Sequence, residues 1–220
     1  TKLILLSVIS VFANFLSAFS GGGAGLIQLP LLIFIGLPFL NALATHKLAS
    51  VALGLGASFR HIKEKTVRPK MSLLIICFGI PGVILGANTV IIIPSNYSTL
   101  FLGLLTLFIA LYSLKLNKIE NLGLKKKLTK RKLYIGCVVL FLIGFLNGSL
   151  TSGTGLFVTL WLVRWFGLSY KDSIAYTLVL VGVVWNATGA IILGTISNIK
   201  WEWIPVLISG SFIGGYLGAH

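Results

Sequence analysis

Apolar stretches of bilayer-crossing length follow one another along this chain with almost no charge inside them. A helix of about 20 apolar residues matches the hydrocarbon thickness of a bilayer. Only helices and closed barrels satisfy their backbone polar groups in lipid. A barrel would require alternating apolar and polar residues, and these runs do not alternate. Charged residues make up 10% of the 220, against about 25% in soluble domains. The chain therefore reads as an all-α polytopic membrane protein in contact with the lipid bilayer.

The net charge of +14 is unevenly placed. Arg60 to Lys70 holds five basic residues and Glu64, and Lys115 to Lys132 holds eight basic residues and Glu120. Basic loops between apolar spans mark the cytoplasmic side, so 60–70 and 115–132 are expected there, in a multi-pass protein of the plasma membrane. This clustering also argues against nucleic acid as a partner. Cys77 and Cys137 fall within apolar segments and read as small hydrophobes.

Nine apolar segments are expected, at about 3–20, 24–38, 42–59, 71–93, 97–114, 133–150, 153–166, 173–195 and 203–220, separated by glycine, proline and charged breaks. The break between the first two is "SGGGAGL", where three glycines interrupt an apolar run that would otherwise continue as helix.

The chain repeats internally. "FLSAFSGGGAGL" from Phe15 aligns with "FLNGSLTSGTGL" from Phe145. "PGVILGAN" from Pro81 aligns with "IGGYLGAH" from Ile213, and Ala44 pairs with Ala175 between these blocks. The halves are read as 1–114 and 133–220, joined by a basic linker at 115–132. The counterpart of the basic 60–70 loop is the loop near Ser197 to Glu202, which has no net charge. The halves are therefore expected to be inverted, with glycine-broken or re-entrant helices near the midplane, an arrangement common in secondary transporters. The second half ends where the first continues with another span, so the repeat predicts one further C-terminal helix in the natural protein.

The motif "SGGGAGLIQLPLL", followed by "ALATHKLASV" and echoed in the second half, resembles the TauE/SafE sulfite exporter family, the TSUP permeases. The second half departs from the motif: Thr154 and Leu160 replace its glycine and proline, and Tyr176-Thr177 stand where Thr45-His46 do. The resemblance implies about eight membrane segments in inverted repeats. It also implies transport of small sulfur-containing anions: sulfite, thiosulfate or organosulfonates.

The residues point the same way. A helix broken within the membrane presents unpaired amides and the positive end of its dipole, which suits an anion. Gly21, Gly22, Gly23 and Gly25 are expected to face Ser152, Gly153, Thr154 and Gly155 as two cradles, with Ser20, Gln28, Asn147, Thr151 and Ser152 as side-chain donors. The alternative for these glycines is close helix packing, the role expected of Gly82, Gly86, Gly144, Gly148, Gly214 and Gly218. His46 and Lys47 lie within an apolar segment, where ionisable residues mark function. Lys47 would neutralise the anion, and His46 would exchange a proton with a coupling gradient. No metal site, cofactor or catalytic residue is expected: the three histidines are dispersed, and no phosphate-loop motif occurs. An anion channel and a non-transporting assembly subunit remain alternatives, and a homo-oligomer stays open.

Overall fold

The computed structural model describes residues 2–63, 66–114 and 129–220. Most of the expected linker, from 115 to 128, lies outside them, whereas Lys130 to Lys132 open a helix. In chain order the helices are α1 (Lys2–Ser20), α2 (Ala24–Phe34), α3 (Phe39–Lys63), α4 (Pro69–Ile92) and α5 (Ser95–Leu114). They continue as α6 (Lys130–Ser149), α7 (Thr154–Arg164), α8 (Tyr170–Gly194) and α9 (Ile204–Ala219). No strand occurs among the described residues. Helices α1, α4, α6 and α8 are long and apolar enough to cross a membrane.

Each expected segment is a helix, and the differences lie at the ends. Helix α2 stops at Phe34 rather than at 38, where Gly36 turns the chain. Helix α3 begins directly after Pro38 and runs past 59 through Arg60 and His61, because basic residues prolong a helix well once it leaves the apolar zone. Both cysteines are free, but Cys77 is exposed on the apolar outer surface, not buried as Cys137 is.

The helix-packing glycines fix the topology. A Cβ on Gly82 would strike the Phe141 carbonyl, one on Gly86 the Phe145 carbonyl, and one on Gly148 the Val83 carbonyl. These contacts advance along α4 and α6 together, so the two helices are parallel. Helices α1 and α9 are parallel for the same reason, with Gly214 against Val11 and Gly218 against Phe15. Such close approach of backbones is what small residues permit between helices in lipid.

The short helices double back. Gln28 of α2 donates to Ser10 Oγ of α1 at 3.1 Å, which makes α1–α2 an antiparallel hairpin. In α6–α7, Asn147 donates to Thr154 Oγ1 at 2.9 Å, and Trp165 Nε1 to the Lys132 carbonyl at 2.8 Å. Helix α3 runs opposite to α8, with Gly54 at Gly182 and Lys47 at Gly189.

One end of the molecule therefore gathers Arg60, Arg68, Lys70, Lys130, Arg131, Lys132, Arg164 and Lys171, and the other carries the Lys200–Glu202 ion pair. Two apolar cores flank the centre. Leu29, Leu32, Leu43 and Leu193 belong to one, and Leu140, Leu162, Val181 and Trp185 to the other. The middle of α8, Thr177–Trp185, is wound as a π-helix, whose wider turn resets the facing of Thr177 and Asn186.

Candidate functional site

The two hairpin tips meet between the cores. After Ser20 the chain turns through Gly21, Gly22 and Gly23, all with positive φ. Gly23 (φ 114°) is the N-cap of α2, and Gly153 (φ 67°) is the N-cap of α7. A left-handed cap strongly favours glycine, and neither cap offers a side chain to the first-turn amides. Both short helices thus point dipole-positive, amide-bearing starts toward the centre. The tips touch through backbone: a Cβ on Gly22 would lie 2.6 Å from the carbonyl carbon of Gly155. The Thr159 hydroxyl ties them together, 2.6 Å from the Gly21 carbonyl oxygen and 2.8 Å from Thr177 Oγ1.

A cavity of about 40 Å³ lies at this junction, room for about three water-sized groups. Gly22, Gly23 and Gly25 border it from the first tip, and Asn147, Thr151, Thr154 and Gly155 from the second. Helix α3 adds His46 and Ser50, and α8 adds Thr177 and Asn186. Ser17 of α1 also lines it, with its buried hydroxyl unpartnered among the described residues.

Lys47 stands directly behind this wall. It is fully buried, and its ammonium donates to Asn147 Oδ1 at 3.1 Å, Thr151 Oγ1 at 3.2 Å and Asn186 Oδ1 at 3.5 Å. All three acceptors are neutral, and all three line the cavity. Thr151 is the one described non-glycine residue with positive φ, at 58°. That conformation is costly for a β-branched residue, and such strain concentrates at functional sites.

His46 is held on both sides. Gln28 Oε1 can only accept, so His46 Nδ1 carries the proton across the 2.9 Å contact, and Nε2 accepts from the Ser50 hydroxyl at 3.1 Å. Behind Gln28 the network continues through Ser10 to Ser211 and Asn14.

The chain is similar to known proteins over almost its whole length. The description "Sulfite exporter TauE/SafE" matches residues 6–220. The chain belongs to this family. Its relatives include a probable membrane transporter protein of Haemophilus influenzae, 30% identical over 99% of this chain and 84% of the relative. Another is the probable membrane transporter protein ORF9 of a Sinorhizobium species, 28% identical over 99% of this chain and 82% of the relative. A third is the probable membrane transporter protein YfcA of Escherichia coli, 26% identical over 98% and 79%. No solved structure matches the chain. This TauE/SafE protein is a multi-pass membrane transporter, and family membership points away from an enzyme.

Within the TauE/SafE chain, eight of the residues expected from the sequence border the cavity: Gly22, Gly23, Gly25, His46, Asn147, Thr151, Thr154 and Gly155. Lys47 and Gln28 sit one side chain behind. Ser20 turns away, bonding the Leu16 and Gly22 carbonyls, and Ser152 faces Thr106 of α5 at 3.2 Å. Gly21 is covered by Thr159 and Ile174, and Gly153 by Ile109. Ser17, Ser50 and Thr177 complete the cavity without having been singled out. Ser50 was accessible to helical spacing, one turn after His46. Thr177 was accessible to the repeat, which aligns it with His46.

Gly189 sets the position of Lys47. A Cβ there would lie 2.8 Å from Lys47 Cδ and Cε and 3.0 Å from Nζ. Gly189→Ala should push the Lys47 nitrogen off one of its three acceptors and raise KM about tenfold, the effect of losing one charge-assisted hydrogen bond. Uptake kinetics check this, and an unchanged KM would show that the lysine position is not critical.

Proposed function

We propose that this protein carries small sulfur oxyanions, such as sulfite or thiosulfate, across the plasma membrane by secondary transport, with organosulfonates as the wider substrate class. The observation that carries the reading is Lys47: a fully buried lysine whose described partners are all neutral, set behind a cavity that two helix starts border. A buried charge is costly unless compensated. Among the described residues the acidic ones are Asp172 and Glu202, and neither lines the cavity. A bound anion supplies the missing charge, while Asn147, Thr151, Thr154, Ser50 and Ser17 offer it neutral groups from several directions.

In this reading the halves 1–114 and 133–220 are inverted repeats, and the site is exposed to each side in turn as one moves against the other. The end rich in arginine and lysine faces the cytoplasm. His46 Nε2 takes up the coupling proton, and Ser50 then turns its hydroxyl toward the anion.

The test is uptake of labelled sulfite and thiosulfate into proteoliposomes, with and without an imposed pH gradient. Saturable uptake, with each anion competing against the other and faster with a gradient, is expected. Absence of uptake of both anions in either gradient would refute the substrate assignment.

A further inference from the structure

Beyond the cavity, the two ends of the molecule carry a matched pair of contacts. At the end bearing Lys200, the backbone N–H of Lys200 donates to Thr45 Oγ1 at 3.1 Å. The N–H of Asn198 donates to Asn41 Oδ1 at 3.3 Å beside it. These bonds pin the loop between α8 and α9 onto α3. At the basic end, the N–H of Arg68 donates to the Tyr176 hydroxyl at 2.8 Å, and that hydroxyl approaches the Arg68 carbonyl at 3.4 Å. These pin the segment before α4 onto α8.

The two contacts occupy corresponding places in the repeat. Thr45 aligns with Tyr176, and the 60–70 segment with the loop near 197–202. Each hydroxyl is buried, Thr45 at 0% and Tyr176 at 2% exposure. Each directly precedes a cavity residue, His46 and Thr177. In both cases a hydroxyl on the third helix of one half holds the backbone leading to the fourth helix of the other half. Backbone donors make the contact insensitive to the side chain on the loop, so the helix hydroxyl alone decides whether the bond forms.

We infer that Thr45 and Tyr176 are positioning residues that latch the two ends of the transport path, one latch per side. Both latches are made in this structure. Releasing Thr45 leaves the loop before α9 held by the Asn41 bond alone and favours opening of the cavity toward the Lys200 end. Releasing Tyr176 frees the segment before α4 and opens it toward the basic end. Because each latch is one residue from a group that faces the substrate, movement of His46 or Thr177 on binding is transmitted directly to a latch. The inference rests on the transport reading above, but its test uses no substrate.

A single cysteine reporter at Ser17→Cys, in a Cys77→Ser, Cys137→Ser background, is labelled with a membrane-impermeant thiol reagent from either face of oriented vesicles. Tyr176→Phe should raise the labelling rate about fivefold from the basic end only, the population shift that one net hydrogen bond gives. Thr45→Val should do so from the Lys200 end only, and Thr45→Ser, which keeps the hydroxyl, should match the parent. Unchanged labelling in both variants, or a rise from the same face in both, overturns the inference. A one-sided shift in a protein that moves no sulfur oxyanion would retain the latches and remove the substrate assignment. Uptake without any shift would do the reverse.

Discussion

Lys47→Gln should lower saturable uptake by about a hundredfold or more in a protein that still folds and inserts. Glutamine keeps an N–H donor for Asn147 or Thr151 and much of the apolar stem, so the neutral part of the network survives. It removes the charge. Breaking a buried charge pair by deleting one partner costs about 3 kcal/mol or more, which is roughly two orders of magnitude in affinity. The cost falls on the anion-bound state, because among the described residues the lysine has neutral partners. Uptake and thermal stability therefore separate. Lost uptake with a melting temperature near that of the parent marks a charge used for the substrate. A parallel fall in both would mark Lys47 as a structural strut, and unchanged uptake would remove it from the site.

That lysine also shows how far the sequence could be read. An ionisable residue inside an apolar segment stands out without a structure, because lipid makes it expensive. Gly21 to Gly23 stand out for the same kind of reason: they break a run that otherwise suits a helix. Both features survive in the fold, where the glycines form the hairpin tip and the lysine lies behind the cavity. Hydroxyls gave no such signal. Serine and threonine are common on membrane helices, where they bond back to the preceding turn, as Ser58 does to Gly54 and Thr106 to Leu102. Ser17 is therefore indistinguishable from such residues until packing brings it to the cavity, whereas Ser50 and Thr177 are marked only by their spacing from His46 and by the repeat. Ser20 and Ser152 show the opposite failure. They sit within two residues of cavity-lining Gly22 and Thr151 in sequence, yet at a tight tip so small an offset turns a side chain to the other face. The π-wound stretch of α8, which packs against α3 and α4, was equally hidden, since its apolar residues carry no local signal for a wider turn.

Gly22→Ala should abolish uptake and lower stability by about 3 kcal/mol or more, whereas Gly23→Ala, one residue away, should be the milder change. Both positions have φ values that L-residues rarely adopt, 127° and 114°, so both substitutions carry a backbone cost of about 1–2 kcal/mol. The surroundings decide the difference. A Cβ at Gly22 would lie 2.6 Å from the Gly155 carbonyl carbon and 2.7 Å from the Leu156 nitrogen. Those are backbone atoms at the start of α7 and cannot rotate aside, so relief requires the two hairpin tips to part, adding an overpacking cost of about 1–3 kcal/mol. At Gly23 the nearest atom is Leu26 Cδ1 at 3.2 Å, the end of a flexible side chain that can yield. Gly155→Ala isolates the contact: its Cβ would sit 3.1 Å from Gly22 Cα, and its φ is not positive. It should reduce uptake with a smaller loss of stability than Gly22→Ala. Thermal melts and uptake on the three variants give the order Gly22 worst, and equal effects at Gly22 and Gly23 would show that backbone strain, not tip-to-tip contact, governs this junction. From the sequence alone the two glycines are equivalent; only the approach of the second hairpin separates them.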